Sequence, residues 1–179
     1  MSNDDLERVR KLIKAVPDFP EKGILFQDIF PIFKDPKAFE ILIDHILNHI
    51  KNDLSEKVDV IVGLDARGFL FGPLIAYKLN VPFVPCRKKG KLPGNIITAE
   101  FVKEYGVDTF EMQSDSIEKD KNVIVLDDLL ATGGTANAAG QLVKKFNAKV
   151  LEYIFIIELV ELNGKKNLDS DVYSIYKFT

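Results

Sequence analysis

Residues 123–135 read VIVLDDLLATGGT, and the parsing of this stretch decides the fold. Val123 to Leu126 is a short, continuously apolar run, the kind a strand shows when both of its faces are covered. Thr132, Gly133, Gly134 and Thr135 then lead into ANAAGQLVKKFN, which reads as a helix. The first amides of such a helix have no internal partner, and its dipole favours an anion, so this small, hydroxyl-bearing turn suits a phosphate monoester. Two carboxylates, Asp127 and Asp128, stand directly before it. A sugar diol reconciles the two features, because carboxylates accept strongly from hydroxyls and stabilise positive charge on a reacting sugar ring. Adjacent residues of a regular strand point to opposite faces, so both aspartates are expected to meet one ribose only if the strand has ended by Asp127. Neither GxxxxGK[ST] nor GxGxxG occurs in the chain, which excludes the Walker and dinucleotide fingerprints. The plain alternative is a Gly-containing turn with aspartates capping a helix.

The same alternation continues outward. VDVIVGLD (58–65) reads as a buried strand ending in a turn at Asp65 to Gly68, and GFLFGPLIAYKLN (68–80) as a helix that tolerates Pro73 near its first turn. VPFVPCR (81–87) and KVLEYIFIIEL (149–159) are further strands. Apolar strands alternating with helices predict an α/β fold with a mostly parallel central sheet flanked by helices. Leu6, Val9, Leu12, Ile13 and Val16 predict an N-terminal helix stopped by Pro17. DPKAFEILIDHILNHIKN (35–52) predicts a second, with Phe39, Leu42, Ile43, Ile46, Leu47 and Ile50 on one face. Between Asn95 and Gln113 the pattern changes, and IITAEFVKEYG and VDTFEMQ predict a hairpin or flap protruding beside the core. With no repeat and no linker, one domain over residues 1–179 is expected.

Composition narrows the partners. Hydrophobic residues make up 46% and charged residues 28% of the 179, with a formal net charge of -3. That balance gives no global attraction to nucleic acid or anionic lipid, so any anion must be held locally. Cys86 is the only cysteine, which rules out an internal disulfide and fits a buried small hydrophobe in a reducing compartment. No apolar run nears the ~18 residues of a spanning helix, and MSNDDLERVRKLIKAV lacks the apolar centre of a signal peptide. A cytoplasmic protein is expected.

Three other stretches carry chemistry. At Asp65, Ala66, Arg67 and Gly68 a strand end, an arginine and free amides suit an oxygen-rich anion, although an Arg67–Asp65 pair that merely fixes the turn reads equally well. RKKGKLPG concentrates Arg87, Lys88, Lys89 and Lys91 within residues 87–91 of an acidic chain. It reads either as a solvated basic loop or as a second anion contact, and it lacks the interleaved aromatics of a nucleic-acid patch. PDFPEKGILFQDI (17–29) is a Pro/Gly turn followed by Ile24, Leu25 and Phe26. His45 and His49 share a helix face at metal-ligand spacing, but no acid of the HExxH type accompanies them.

VIVLDDLLATGGT matches the sugar-phosphate signature of the type I phosphoribosyltransferases. PDFPEKGILFQDI, GLDARGFLFGP, RKKGKLPG, EYG and that signature also follow one another in the order found in the members that act on adenine. The resemblance implies transfer of phosphoribose from 5-phosphoribosyl 1-pyrophosphate to adenine, giving AMP and pyrophosphate with Mg2+, in a homodimer that binds neither nucleic acid nor membrane. By resemblance, Ala131 to Thr135 hold the 5-phosphate, and Asp127 and Asp128 the ribose hydroxyls. Asp65, Ala66, Arg67 and Gly68 contact pyrophosphate, with Arg87, Lys88 and Lys91 of the basic loop; Arg87 reaches the neighbouring subunit's site. Ala66 stands where relatives carry serine, so only its backbone transfers. Residues 17–34 form a hood whose Leu25 and Phe26 contact adenine, with Leu159 lining the base pocket. Gln27 departs from the arginine of some relatives. In the flap, residues 95–113, Glu104 is the catalytic proton-managing group beside Tyr105, which leaves Glu100 on the surface. The alternatives are a phosphoribosyltransferase for another purine and a ligand-sensing regulator on the same fold.

Overall fold

Asp35 starts the helix that organises the N-terminal part of the chain. In the computed structural model, which describes residues 3–103 and 106–179, the chain forms two compact units, Met1–Leu54 and Ser55–Thr179. In the first, α1 (Asn3–Arg10) packs on α2 (Pro36–Asn52). The Asp35 carboxylate accepts from the Lys37 and Ala38 amides at the start of α2, and takes the Arg8 guanidinium at 2.7 Å. Arg8 and these amides hold its carboxyl below the usual range. Leu42, Ile43, Ile46, Leu47 and Ile50 are buried, as the spacing predicts, while Phe39 is half-buried. His49 Nδ1 lies 2.9 Å from Asp53 Oδ2.

The N-terminal helix is shorter than expected. It ends at Arg10, and residues 14–17 form β1 (Lys14–Pro17), which pairs antiparallel with β2 (Leu25–Asp28). The helical spacing of Leu12, Ile13 and Val16 is overridden by this pairing with a distant strand, which local periodicity cannot report.

The second unit is built on a seven-stranded sheet. Its strands are β3 (Val60–Leu64), β4 (Phe83–Lys88), β5 (Ile96–Lys103), β6 (Gly106–Gln113), β7 (Asn122–Leu130), β8 (Lys149–Leu159) and β9 (Asp171–Phe178). They stand in the order β5-β6-β4-β3-β7-β8-β9. The five from β4 to β9 in that row are parallel; β5 and β6 run antiparallel at one edge. Helix α3 (Gly72–Leu79) carries the chain from β3 to β4, and α4 (Gly134–Lys145) carries it from β7 to β8. From β3 the chain moves first to β4 on one side and later to β7 on the other. Open α/β sheets bind ligands at such a reversal, beyond the carboxyl ends of the strands.

Val60, Val62, Leu64, Val123 and Val125 form one core cluster with Ala136, Ala139, Leu142 and Val143 of α4. The opposite face is shaped by Phe83: a side-chain carbon at Gly63 or Gly72 would stand 2.7 Å from its ring, so only glycine lets α3 approach there. The hairpin expected between Asn95 and Gln113 is formed by β5 and β6. Ala99, Phe101, Phe110 and Met112 are buried in the main cluster, and side chains of the larger size contribute about 1.5–3 kcal/mol each. Glu104 and Tyr105 lie outside the described residues. Two further details differ from expectation. A 3-10 turn, Arg67–Leu70, precedes α3, which starts at Gly72 with Pro73 in its first turn. The sequence reading does not predict the terminal strand β9, because its half-exposed residues give neither a continuous apolar run nor strict alternation. Among the described residues no helix is long and apolar enough to cross a membrane.

Candidate active site at the sheet's carboxyl edge

The strand does not end at Asp127. β7 leaves β3 after Leu126 but stays paired with β8 through Leu130, which corrects the expectation. The ladder to β8 skips Asp128, passing from Asp127↔Phe155 to Leu129↔Ile157. Asp127 Oδ1 accepts the Asp128 amide at 2.9 Å. Thus both carboxyls share one locality although the chain is still extended. Freedom from β3 on one side is what permits it.

Arg67 Nε lies 3.0 Å from Asp128 Oδ2, and Asp128 is 2% exposed. Burial raises the Asp127 carboxyl well above the ordinary range, and the charge of Asp128 adds to the shift. Burial also raises Asp128, with the Arg67 guanidinium offsetting part of it. Like charges held this closely and shielded from water cannot both ionise without a counter-charge.

The turn after β3 meets this pair directly. A side-chain carbon at Gly68 would stand 2.7 Å from the Leu126 carbonyl oxygen and 3.5 Å from Asp127 Oδ1, so the turn fits only as glycine. Arg67 does not pair with Asp65 to fix the turn. It faces Asp128, while Asp65 Oδ2 takes Arg87 Nε at 3.1 Å. Arg87 NH1 donates to the Lys91 carbonyl at 3.0 Å, and its guanidinium lies 5.9 Å from the Phe69 ring centre. Lys88, Lys89 and Lys91 are exposed. Cys86 is buried beneath them, and burial, with Asp127 and Asp65 nearby, pushes its thiol well up, so it stays protonated.

Beyond β7, Ala131 to Gly133 form the turn and α4 begins at Gly134 without a side-chain cap. Gly133 takes φ +82, and a side-chain carbon there would lie 2.4 Å from the Gly164 carbonyl oxygen. Asn167 Nδ2 donates to the Thr132 carbonyl at 2.8 Å. The segment 163–167 therefore backs the turn.

The structure brings Asp127, Asp128, Arg67 and Gly68 together, with Asp65 and Arg87 adjoining and Ala131–Thr135 following. Leu159 ends β8, half-buried. Leu25 and Phe26 belong to the first unit, where Leu25 is 55% exposed and Phe26 stacks edge-on with Phe19 at 5.1 Å. Gln27 is buried and Glu100 exposed. Three residues of interest escaped the sequence reading. Gly164 and Asn167 sit in NGKKN, a turn-rich pentapeptide whose composition was the available signal. The third, Glu111, gave none.

Residues 32–178 match the family model described as phosphoribosyl transferase domain. The chain belongs to the phosphoribosyltransferase family. It is 54% identical over 164 residues to the adenine phosphoribosyltransferase of Yarrowia lipolytica, covering 91% of this chain and 90% of that one. With the adenine phosphoribosyltransferase of Drosophila pseudoobscura pseudoobscura it shares 48% identity over 177 residues, 99% of this chain and 97% of the other. The structure of the Saccharomyces cerevisiae enzyme, solved with D-2,5-dideoxy-2,5-imino-altritol 1,6-bisphosphate and adenine, superposes with a TM-score of 0.95. That pair shares 45% identity and covers 98% of this chain and 100% of the yeast one. The type I fold expected from the sequence is borne out, with its mostly parallel sheet and flanking helices.

Proposed function

We propose that the protein is an adenine phosphoribosyltransferase, making AMP and pyrophosphate from adenine and 5-phosphoribosyl 1-pyrophosphate in purine salvage. The observation that carries this reading is the Asp127–Asp128 pair, Asp128 buried and Asp127 half-buried, beside Arg67 and set before an uncapped helix start at the sheet's reversal point. The adenine-using relatives at 48–54% identity supply the base.

In this assignment the amides from Ala131 to Thr135 take the 5-phosphate, as a helix N-terminus suits a dianion. Asp127 and Asp128 accept from the ribose hydroxyls. Asp65, Ala66, Arg67 and Gly68, with Arg87, Lys88 and Lys91, meet the pyrophosphate. Leu159 meets adenine through apolar surface, and Leu25 and Phe26 are assigned to the base by the resemblance alone. As the bond from the anomeric carbon to pyrophosphate loosens, positive charge grows on the ribosyl ring, and the aspartates stabilise it. N9 of adenine attacks that carbon from the opposite face, with inversion, while pyrophosphate leaves with the bonding pair. Glu104 manages the proton of the base, and the flap segment 95–113 with Tyr105 excludes water that would hydrolyse the sugar.

Among the described residues no three His, Cys, Asp or Glu side chains converge as metal ligands. In this assignment Mg2+ would be held by substrate oxygens and water and not directly by the protein. When bound, Mg2+ supplies charge neutralisation and orientation of the pyrophosphate. We assign the protein to the cytoplasm and to a homodimer.

Calorimetric titration of phosphoribosyl pyrophosphate with magnesium tests the site. Replacing both Asp127 and Asp128 with Ala is expected to weaken that binding by at least about tenfold, the scale of a lost charged hydrogen bond, while adenine affinity holds. Equal affinity for the activated sugar would remove the pair from its role.

A further inference from the structure

The β4–β6 ladder is short. It consists of Arg87↔Glu111 and Lys88↔Phe110, followed by one bond from the Lys89 amide to the Thr109 carbonyl at 3.0 Å. The basic loop then leaves the sheet, turning at Gly90 with φ +79. A loop rich in like charges and detached from its sheet has no reason of its own to keep one shape.

Glu111 supplies that reason. Its side chain is fully buried, at 0% exposed. Oε2 accepts the Gly90 amide at 3.0 Å, and Oε1 accepts the amides of Lys91 and Leu92, each at 2.8 Å. Successive amides turned to one point make an anion-binding hollow, and here the chain's own carboxylate fills it. Burial alone would raise this carboxyl, yet the amides of Gly90, Leu92 and Lys91, with Arg87 nearby, bring it below the ordinary value. It is a fixed negative charge with its acceptors engaged.

The contact continues toward the candidate site. Lys91 gives its amide to Glu111 and accepts Arg87 NH1 on its carbonyl. Arg87 Nε in turn donates to Asp65 of the turn after β3. An unbroken run of hydrogen bonds therefore joins hairpin strand β6 to the loop and the loop to the turn.

We propose that Glu111 is a positioning residue for the pyrophosphate end of the substrate, holding the Arg87–Lys91 loop in its binding shape without touching the ligand. The inference rests on the functional reading above, which gives that loop to pyrophosphate. The neutral isostere Glu111→Gln keeps the volume but turns one acceptor into an NH2 group facing amide donors, so the hollow opens and the loop loses its anchor.

The experiment uses two probes in calorimetry, magnesium pyrophosphate and ribose 5-phosphate. The first requires the basic loop and the second the turn at Ala131–Thr135. Glu111→Gln is expected to weaken pyrophosphate by about tenfold or more and to leave ribose 5-phosphate within about twofold. In steady state, KM for phosphoribosyl pyrophosphate rises while KM for adenine holds. Glu111→Asp keeps the charge but is one methylene shorter, so it shows the same split, and it serves if the Gln variant does not fold. Unchanged pyrophosphate affinity in a folded variant overturns the inference alone. Equal losses for both probes also overturn it, since they mark general destabilisation. Wild-type protein that binds neither probe sinks the functional reading, and this inference with it.

Discussion

Two acids placed side by side, Asp128 buried and Asp127 half-buried, cost the fold stability, and the sign of that cost can be worked out. The Asp127 carboxyl is raised, first by burial and then by Asp128. An unfolded aspartate titrates near ~3.9. Between that pH and the raised folded value the native state holds the extra proton, so stability falls as pH rises through the window. Asp127→Asn keeps an oxygen for the Asp128 amide and removes the charge. It is expected to raise the urea midpoint at pH 7 and to weaken activated-sugar binding. The gain should shrink as the pH falls toward 4. A lower midpoint at pH 7 would contradict the assignment of strain to this pair. The chemical types at this site were legible in the sequence, because Asp, Arg, Gly and Thr at strand ends have few other uses. What was not legible was the pairing. Arg67 facing Asp128 and Arg87 facing Asp65 reach across 61 and 22 positions, and Glu111 meets amides 19 to 21 positions away. Contacts of that range leave no local trace.

At the scale of elements, α4 joins the phosphate turn to the core, and its fit depends on Gly140. A side-chain carbon there would stand 1.9 Å from the Tyr153 hydroxyl of β8. That hydroxyl donates to Asp169 Oδ1 at 2.6 Å, Asp169 pairs with Lys144 of α4, and Tyr153 is fully buried. The ring has no room to withdraw. Gly140→Ala is expected to lower stability by about 1–3 kcal/mol, the range for overpacking, read from urea unfolding. No change would mean that the helix and β8 yield more readily than their packing implies. At the turn itself, Gly133→Ala meets both a positive φ and the Gly164 carbonyl. It is expected to weaken ribose 5-phosphate binding by about tenfold or more, since strain of this kind costs about 1–3 kcal/mol; unaltered affinity would show that the turn can re-form without glycine. Strands β3, β4, β7 and β8 were legible because burial on both faces writes a continuous apolar run. β1 and β9 were not. One carries a misleading helical spacing and the other lies half-exposed at the edge, so long-range pairing decides both.

For the whole molecule, the sheet's reversal between β3, β4 and β7 gathers one turn from each neighbouring strand end along one edge, and the proposed function gives these turns to sugar, phosphate and pyrophosphate. In the proposed mechanism turnover then depends on the proton of the base. Glu104→Gln is expected to lower kcat by about 10²–10⁴-fold, as for other lost acid–base groups, with a smaller effect on phosphoribosyl pyrophosphate binding; an unchanged kcat would take Glu104 out of the mechanism. The most direct test supplies magnesium and phosphoribosyl pyrophosphate with equal adenine, hypoxanthine and guanine, and separates the products. The account predicts AMP in at least about a hundredfold excess over the other nucleotides, the discrimination that hydrogen-bonded recognition can reach, with one pyrophosphate released per AMP. IMP or GMP as the main product, or no pyrophosphate release, would contradict it.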